Sequence, residues 1–463
     1  MNAIETEREN PPTVGFWDSP QLMTAGIEQI LEPIELQHLR RDRRVRALLA
    51  YAKEHSPWHA RRLAHVDVDA VSGDDLTMIP PMTKADLMAN WDEIVTDRRL
   101  TLRDANEHLD RLRRGEWGLL HDRYGVLASG GSTGTRGVFL HDTAVGEHAQ
   151  VPDFVAAMDR YWAWQAAVEG GLPTPVRVRI MSTSPFHVSA VWRWLYGDGG
   201  WHYLSASSSI AELVEALNAI RPDVLCTYPS IGHRLALEAR DGRLDVRPRR
   251  VTTSAEPLLP EAREAMRSYL TDAVTEEYAA TEAYMTAWNN VNGGMHLVED
   301  DGVYEPVGPD GEPVAAGVPS SALLITNIFS YALPLIRYEL TDEVVLDPGP
   351  NPGPLPGRRV LSVTGRRDDW FHYRVGAEVH PHTFRAVLSA HSAIVEYQVR
   401  QTPRGADVVI AAVGDVEMDV IATDLTSALA RAGLDNPDVT VTRCGQLPRH
   451  AETAKLRRFV PLT

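Results

Sequence analysis

YGVLASGGSTGTRG, residues 124–137, sets an apolar run directly against a glycine-rich turn. Gly130, Gly131 and Gly134 free the backbone to turn tightly, so N–H groups and hydroxyls can converge on an anion. Ser129, Ser132, Thr133 and Thr135 add hydroxyl donors, and Arg136 adds a fixed cationic fork. The GxxxxGK[ST] spacing of a Walker A loop is missing, and so is its lysine. Taken alone, the segment reads either as an anion-holding loop or as an ordinary Gly/Ser surface turn.

Working outward, the chain alternates short β-like runs with helical periods. VRVRIMST (176–183) and ALLITNIF (322–329) read as strands, and IAELVEALNAI (210–220) reads as a helix. That alternation predicts a layered α/β body. Upstream, residues 44–63 carry Val45, Leu48, Leu49 and Ala52 at helical spacing, which predicts an amphipathic helix. Pro80 and Pro81 break the chain, and Thr83 and Asp86 in PPMTKADL supply an N-cap and a first-turn acid. DPGPNPGPLPGR (347–358) is too rich in Pro and Gly for regular structure, and reads as a long hairpin loop in preference to an interdomain linker. Beyond about residue 369 the pattern changes to that of a compact α+β unit. A helix at 383–390 precedes strands IVEYQVRQT (394–402) and DVVIAAVG (407–414), a helix at 419–433 and a final strand DVTVTR (438–443). There is no internal repeat and no low-complexity tract.

The 463 residues are 44% hydrophobic and 24% charged, ordinary for a globular protein, and more than one domain is expected. A net charge of −17 argues against non-specific binding to nucleic acid or to an anionic membrane surface. Two distant cysteines, Cys226 and Cys444, are too few for a disulfide framework and fit a reducing cytoplasm. The N-terminus, MNAIETEREN, is acidic and polar, unlike a signal peptide. No apolar run reaches the roughly 18 residues of a membrane span. Arginine is abundant, yet there are three lysines, Lys53, Lys84 and Lys455, and the last lies within ten residues of the end.

Further motifs carry chemistry. EYAATE (277–282) follows TSAEPL (253–258). Glu282 is a hard oxygen ligand suited to Mg²⁺, and Thr281 can hydrogen-bond a phosphate, though an acidic helix start would look the same. PLIRYELTD (334–342) ends in Asp342, a carboxylate able to accept both hydroxyls of a ribose. GRRDD (365–369) falls where the pattern changes, and LPRHAETAKLRR (447–458) presents the ammonium of Lys455. The aromatic residues Tyr161, Trp162, Trp164, Trp192 and Trp194 can either shape a pocket or pack a core.

In this order and spacing, the segments resemble the adenylate-forming superfamily of acyl-CoA synthetases, and most closely its phenylacetate–CoA ligase-like branch. LLAYAKEHSPWHARRL (48–63) and IPPMTKADL (79–87) resemble that branch's opening segment, and TSPFHVSA (183–190) resembles the segment bearing a substrate-pocket histidine, here His187. MHLVED (295–300) and GRRDDWFHYRVGAEVHP (365–381) are similar to its downstream strands, hinge and glycine-bearing loop. The resemblance implies a multi-layer adenylation body over 1–367, binding ATP and the acid, and a small mobile α+β domain over 368–463 carrying the catalytic lysine. It implies that Ser129, Ser132, Thr133 and Thr135, with Gly130, Gly131 and Gly134, hold phosphates. Ser254, Ala255, Glu256 and Tyr278 would lie at adenine, with Ala279 and Ala280 beside the substrate. Thr281 would meet the α-phosphate, and Glu282 would bind Mg²⁺. Asp342 and Arg366 would take the ribose, Asp368 would be the hinge, and Lys455 the catalytic cation. Arg136 stands where the pattern has Pro after Lys, and Ala454 where it has Gly. Cysteines found near the Tyr-x-x-Thr-Glu motif in some relatives are absent, so no structural zinc is expected.

The reaction implied is activation of a small, aromatic carboxylic acid by ATP and Mg²⁺ to an acyl-AMP, releasing pyrophosphate, followed by transfer to CoA. Transfer to an amine or other small nucleophile, with amide or N–N bond formation, is the alternative. A catalytically silent nucleotide-binding homologue is a third reading. The expected partners are the acid and the nucleotides, with no nucleic acid and no membrane, and the branch leans towards a homodimer.

Overall fold

Val- and Thr-rich runs make the central strands: Arg177–Met181, Trp201–Ser205, Val224–Thr227, Arg250–Ser254 and Val274–Ala280 pair side by side in parallel. A computed structural model describes residues 19–129, 136–145, 148, 150–168, 175–196, 200–289, 294–374, 376–391, 393–450 and 452–462. Parallel pairing requires crossovers. These are helices such as Ile210–Ile220, whose Ser209 and Glu212 form a capping box, and Pro229–Arg240. Their apolar faces bury Leu213, Leu217, Ile231 and Leu235 against Val178, Leu225 and Val251 of the sheet.

At Val274–Ala280 the sheet changes character. Tyr284–Asn289, Met295–Leu297, Arg359–Arg366 and Asp342–Leu346 continue it antiparallel, giving nine strands in all. EYAATE is therefore the end of a strand and the turn after it, and not a helix start. Ligands of open α/β sheets collect beyond the carboxyl ends of parallel strands, where the order switches. That is where this segment lies.

The proline-rich segment 347–358 joins two antiparallel strands and is a hairpin loop. Asn351 Nδ2 ties it by donating to the carbonyls of Leu355 and Gly357, at 2.6 and 3.0 Å. Gly357 sits at φ 105°, where a Cβ would stand 2.6 Å from the Leu297 carbonyl oxygen. The amphipathic period at 44–63 splits in two. One helix runs Ile34–His55, and Pro57 forces Ser56 out of the helical region (φ −112°, ψ 111°), so that Ser56 ends it and caps the short helix Pro57–Arg62. Thr83 and Asp86 form the expected cap, as a complete capping box on Lys84–Ala89.

The last hundred or so residues carry a core of their own. Ile394–Thr402, Gly405–Ala412 and Asp438–Arg443 form a sheet covered by helices Pro381–Leu388 and Met418–Arg431, around Phe371, Phe384, Val408 and Leu425. Asp438–Arg443 is not the last strand: Phe459–Val460 returns to pair in parallel with Val399 and Arg400. Two residues are too few to show a period in the sequence. Among the described residues no helix is long and apolar enough to cross a membrane.

Candidate active site

A cavity of about 810 Å³ opens at the carboxyl ends of the parallel strands. Ser254, Ala255 and Glu256 reach it from the end of Arg250–Ser254, and Ala279, Ala280, Thr281 and Glu282 from the end of Val274–Ala280. His187 contributes from the turn before helix Val188–Tyr196, and Ser129 from the end of strand Tyr124–Ala128. Arg366 and Lys455 enter from the other side. Gly130, Gly131, Ser132, Thr133, Gly134 and Thr135 lie outside the described residues. The neck of their loop is closed by Ser129, whose N–H donates to the Gly137 carbonyl at 3.0 Å while its Oγ accepts from Gly137 N–H at 3.2 Å.

The segment bearing Lys455 is held against the body by backbone bonds. Tyr228 Oη donates to the Thr453 carbonyl at 3.0 Å, and Ser182 Oγ donates to the Glu452 carbonyl at 2.7 Å. The carboxylate of Glu256 accepts from Leu456 N–H at 2.7 Å and from Ser230 N–H at 3.2 Å, with the Arg449 guanidinium 3.6 Å away. Arg449 also pairs with buried Glu396 at 2.5 Å. Ala255 and Ala454, the neighbours of Glu256 and Lys455, both occupy left-handed backbone, at φ 71° and 54°. Non-glycine residues there are strained, by roughly 1–3 kcal/mol each. The methyl of Ala454 packs into the body's own apolar core, which helps hold the segment in that shape.

Electrostatics brings the candidate groups to one place. Burial pushes the Lys455 ammonium down to about 8, Arg366 adds to this, and the carboxylates of Glu256, Asp342 and Glu282 oppose it. Glu282 is buried and pushed up by desolvation, with Lys84 the leading charge that restrains the rise. Arg366 Nε donates to Asp342 Oδ1 at 3.1 Å, across strands in which these two residues face one another. The Tyr278 hydroxyl, enclosed beside Asp342, is pushed well above its ordinary value. His187 is held neutral, pushed down to about 3 by burial and then by Lys455. Its Nδ1 lies 2.8 Å from Ser189 Oγ.

Four expected residues do not line the cavity: Tyr278 and Asp342, which lie beside one another, and Arg136 and Asp368. Arg136 pairs with Glu452 of the lysine segment at 3.2 Å, and its guanidinium lies 4.1 Å from the centre of the Phe186 ring. Asp368 lies in the turn Arg367–Asp369, just after the strand that presents Arg366. Sequence reasoning missed Lys84, which lines the cavity near Glu282. Lysine scarcity, noted for Lys455, was signal enough to find it. It also missed Tyr228 and Ser182, which bear no motif because they act on carbonyls.

No family model matches the sequence. Protein CapK of Staphylococcus aureus is 21% identical over 367 residues, 76% of this chain and 73% of that protein. Phenylacetate-coenzyme A ligase of Thermus thermophilus is 28% identical over 282 residues, 54% of this chain and 62% of that one. Among solved structures, 2-hydroxyisobutyryl-CoA ligase in the postadenylation state, in complex with R3-HIB-AMP, matches with a TM-score of 0.66 at 18% identity, covering 91% of this chain and 88% of that one. The chain has the fold of that ligase. Its aromatic residues divide between pocket and core. Trp162 lines the cavity, with Phe154 and Tyr284 stacked 4.4 Å apart beside it. Tyr161 and Trp164 are core, and the side chains of Trp192 and Trp194 lie outside the described ones.

Proposed function

We propose that this chain activates a small carboxylic acid as its acyl-AMP with ATP, releasing pyrophosphate, and then transfers the acyl group to CoA. The observation that carries the reading is Lys455: a titratable ammonium in one cavity with Glu282 and with Arg366, whose partner is Asp342, on a segment fastened by contacts that can be undone.

A carboxylate is a poor acyl donor because its oxygen leaves badly. Its attack on the α-phosphorus of ATP forms a C–O–P anhydride and breaks the bond to pyrophosphate, so that AMP becomes the leaving group. Catalysis then consists of positioning and of cations set where negative charge grows. Lys455 would meet the α-phosphate and carboxylate oxygens, and Thr281 would donate to the phosphate. Asp342, oriented by Arg366, would accept the ribose hydroxyls. Glu282 suits Mg²⁺: its carboxylate is a hard ligand facing the cavity, and burial raises its proton affinity, a penalty that a divalent cation offsets. When bound, Mg²⁺ would neutralise the charge of the departing pyrophosphate. Phe154, Trp162 and Tyr284 favour a flat, aromatic acyl group.

In the second half-reaction Lys455 is no longer needed. The unit over 368–463 would turn about Asp368 and bring the Gly376 loop to the cavity, the body being 1–367. Pyrophosphate release, measured across aryl and arylacetic acids with and without CoA, tests the proposal. Acid-dependent release accompanied by stoichiometric AMP and hastened by CoA is expected. No acid-dependent release across the panel would overturn the adenylation, and release indifferent to CoA would overturn the acceptor.

A further inference from the structure

Acyl adenylation accounts for the groups at the strand ends, but not for a charged cluster deeper in the same cavity. The parallel registers Arg179 to Cys226, Cys226 to Thr252 and Ser254 to Glu277 put Arg179, Cys226, Arg250 and Glu277 on one face of the sheet, because alternate residues share a side. Arg179, Cys226 and Glu277 all line the cavity.

Arg179 is half-buried and lines this cavity. Its Nε has no hydrogen-bond partner among the described residues. The guanidinium lies 4.3 Å from the centre of the Trp201 ring, and Trp201 meets cavity-lining Trp162 edge-on at 5.7 Å. Stacking fixes the plane of the fork, so its donors are already oriented. A buried guanidinium ordinarily has its charge matched and its donors filled. Here one carboxylate, Glu277, is shared by two enclosed guanidiniums, those of Arg179 and Arg250. The Cys226 thiol, pushed up to about 12 by burial, stays neutral and supplies no counter-charge. Positive charge on this face, to which Arg177 adds from the same strand, therefore exceeds the one carboxylate, and Arg179 lines ligand space.

We infer that the acid is a dicarboxylic acid, one carboxylate being activated at the strand ends and the other received by Arg179. The inference rests on the adenylation reading only for which carboxylate reacts. Arg179 lies two residues inside the end of strand Arg177–Met181, below Thr281 and Glu282, so the distal group would enter first. A carboxylate there accepts from the fork and restores charge balance on the face.

The test is titration calorimetry on the full chain with isophthalate, terephthalate, glutarate and adipate, each against its own monoamide, and then pyrophosphate release with the same compounds and ATP. At least one dicarboxylate should bind about tenfold or more tighter than its isosteric monoamide. Arg179→Met should bring that ratio close to one, and Arg179→Lys, which keeps the charge without the fork, should restore part of it. Unaltered thermal unfolding would show that both variants fold, and if Arg179→Met does not fold, Arg179→Lys and the wild-type ratios decide. The inference is overturned if monoamides bind as well as the diacids, if amine-bearing acids are preferred through Glu277, if Arg179→Met leaves the ratio intact, or if none of the diacids binds. Tight diacid binding without pyrophosphate release would keep the anion subsite and remove the adenylation reading. Release with monoacids alone would do the reverse.

Discussion

Replacing Tyr228 by Phe deletes a single oxygen and touches no ligand in the proposed reaction. That oxygen donates to the Thr453 carbonyl at 3.0 Å and accepts from Ser182 N–H at 3.1 Å, in a side chain with no exposed surface. Only the first bond joins the lysine segment to the body, so its loss falls on docking. A neutral hydrogen bond contributes about 0.5–1.5 kcal/mol net, and a buried carbonyl left without its donor brings the loss to about 1–2 kcal/mol. Because 1.4 kcal/mol is tenfold, the docked population relative to the undocked falls about 5- to 30-fold. In the proposed reaction the segment leaves for the second half-reaction and so is held little more tightly than it needs, and most of that factor should reach the rate. The assay pairs single-turnover pyrophosphate release with thioester formation from supplied acyl-AMP and CoA. Tyr228→Phe should slow the first by that factor and leave the second within about twofold. Equal loss in both half-reactions, or none in either, would refute the idea that these contacts hold the adenylating arrangement.

Lys455→Ala should lower pyrophosphate release by about 10²–10³ and spare thioester formation from acyl-AMP, read by the same pair of assays. In the proposed reaction the protonated ammonium is the active form, and because burial pushes it down to about 8, adenylation should decline as pH rises through about 8. In Lys455→Arg, whose guanidinium does not titrate there, that decline should vanish even though the rate is low. Glu282→Gln should raise the Mg²⁺ concentration needed for half-maximal release by about tenfold or more, measured by titrating the metal at saturating ATP.

What the sequence disclosed was local. Thr83 with Asp86, Ile210–Ile220 and the hairpin at 347–358 follow from caps, periods and turn residues close together in the chain. The candidate site was legible where a motif is short and continuous, as at 277–282, and its strand identity was hidden because six residues with three acids or alcohols fit a helix start equally well. Three things were illegible for a physical reason. The Phe459–Val460 strand is stabilised by a partner sixty residues away, not by its own pattern. The left-handed backbone of Ala255 and Ala454 is imposed by tertiary packing on residues that do not favour it. The Arg179 cluster exists only through the register of four strands, each of which reads as ordinary sheet.

The scarcity of lysine gives this cavity a chemical signature. Of three side-chain amines, Lys53 donates to the Val66 carbonyl on the first long helix, while Lys84 and Lys455 both line the cavity. An ammonium pushed down to about 8 by burial leaves a sizeable neutral, nucleophilic fraction under mildly alkaline conditions. Amine-directed reagents would therefore mark this cavity in preference to a general surface, and occupancy by nucleotide would register as protection of two peptides in a mass spectrum.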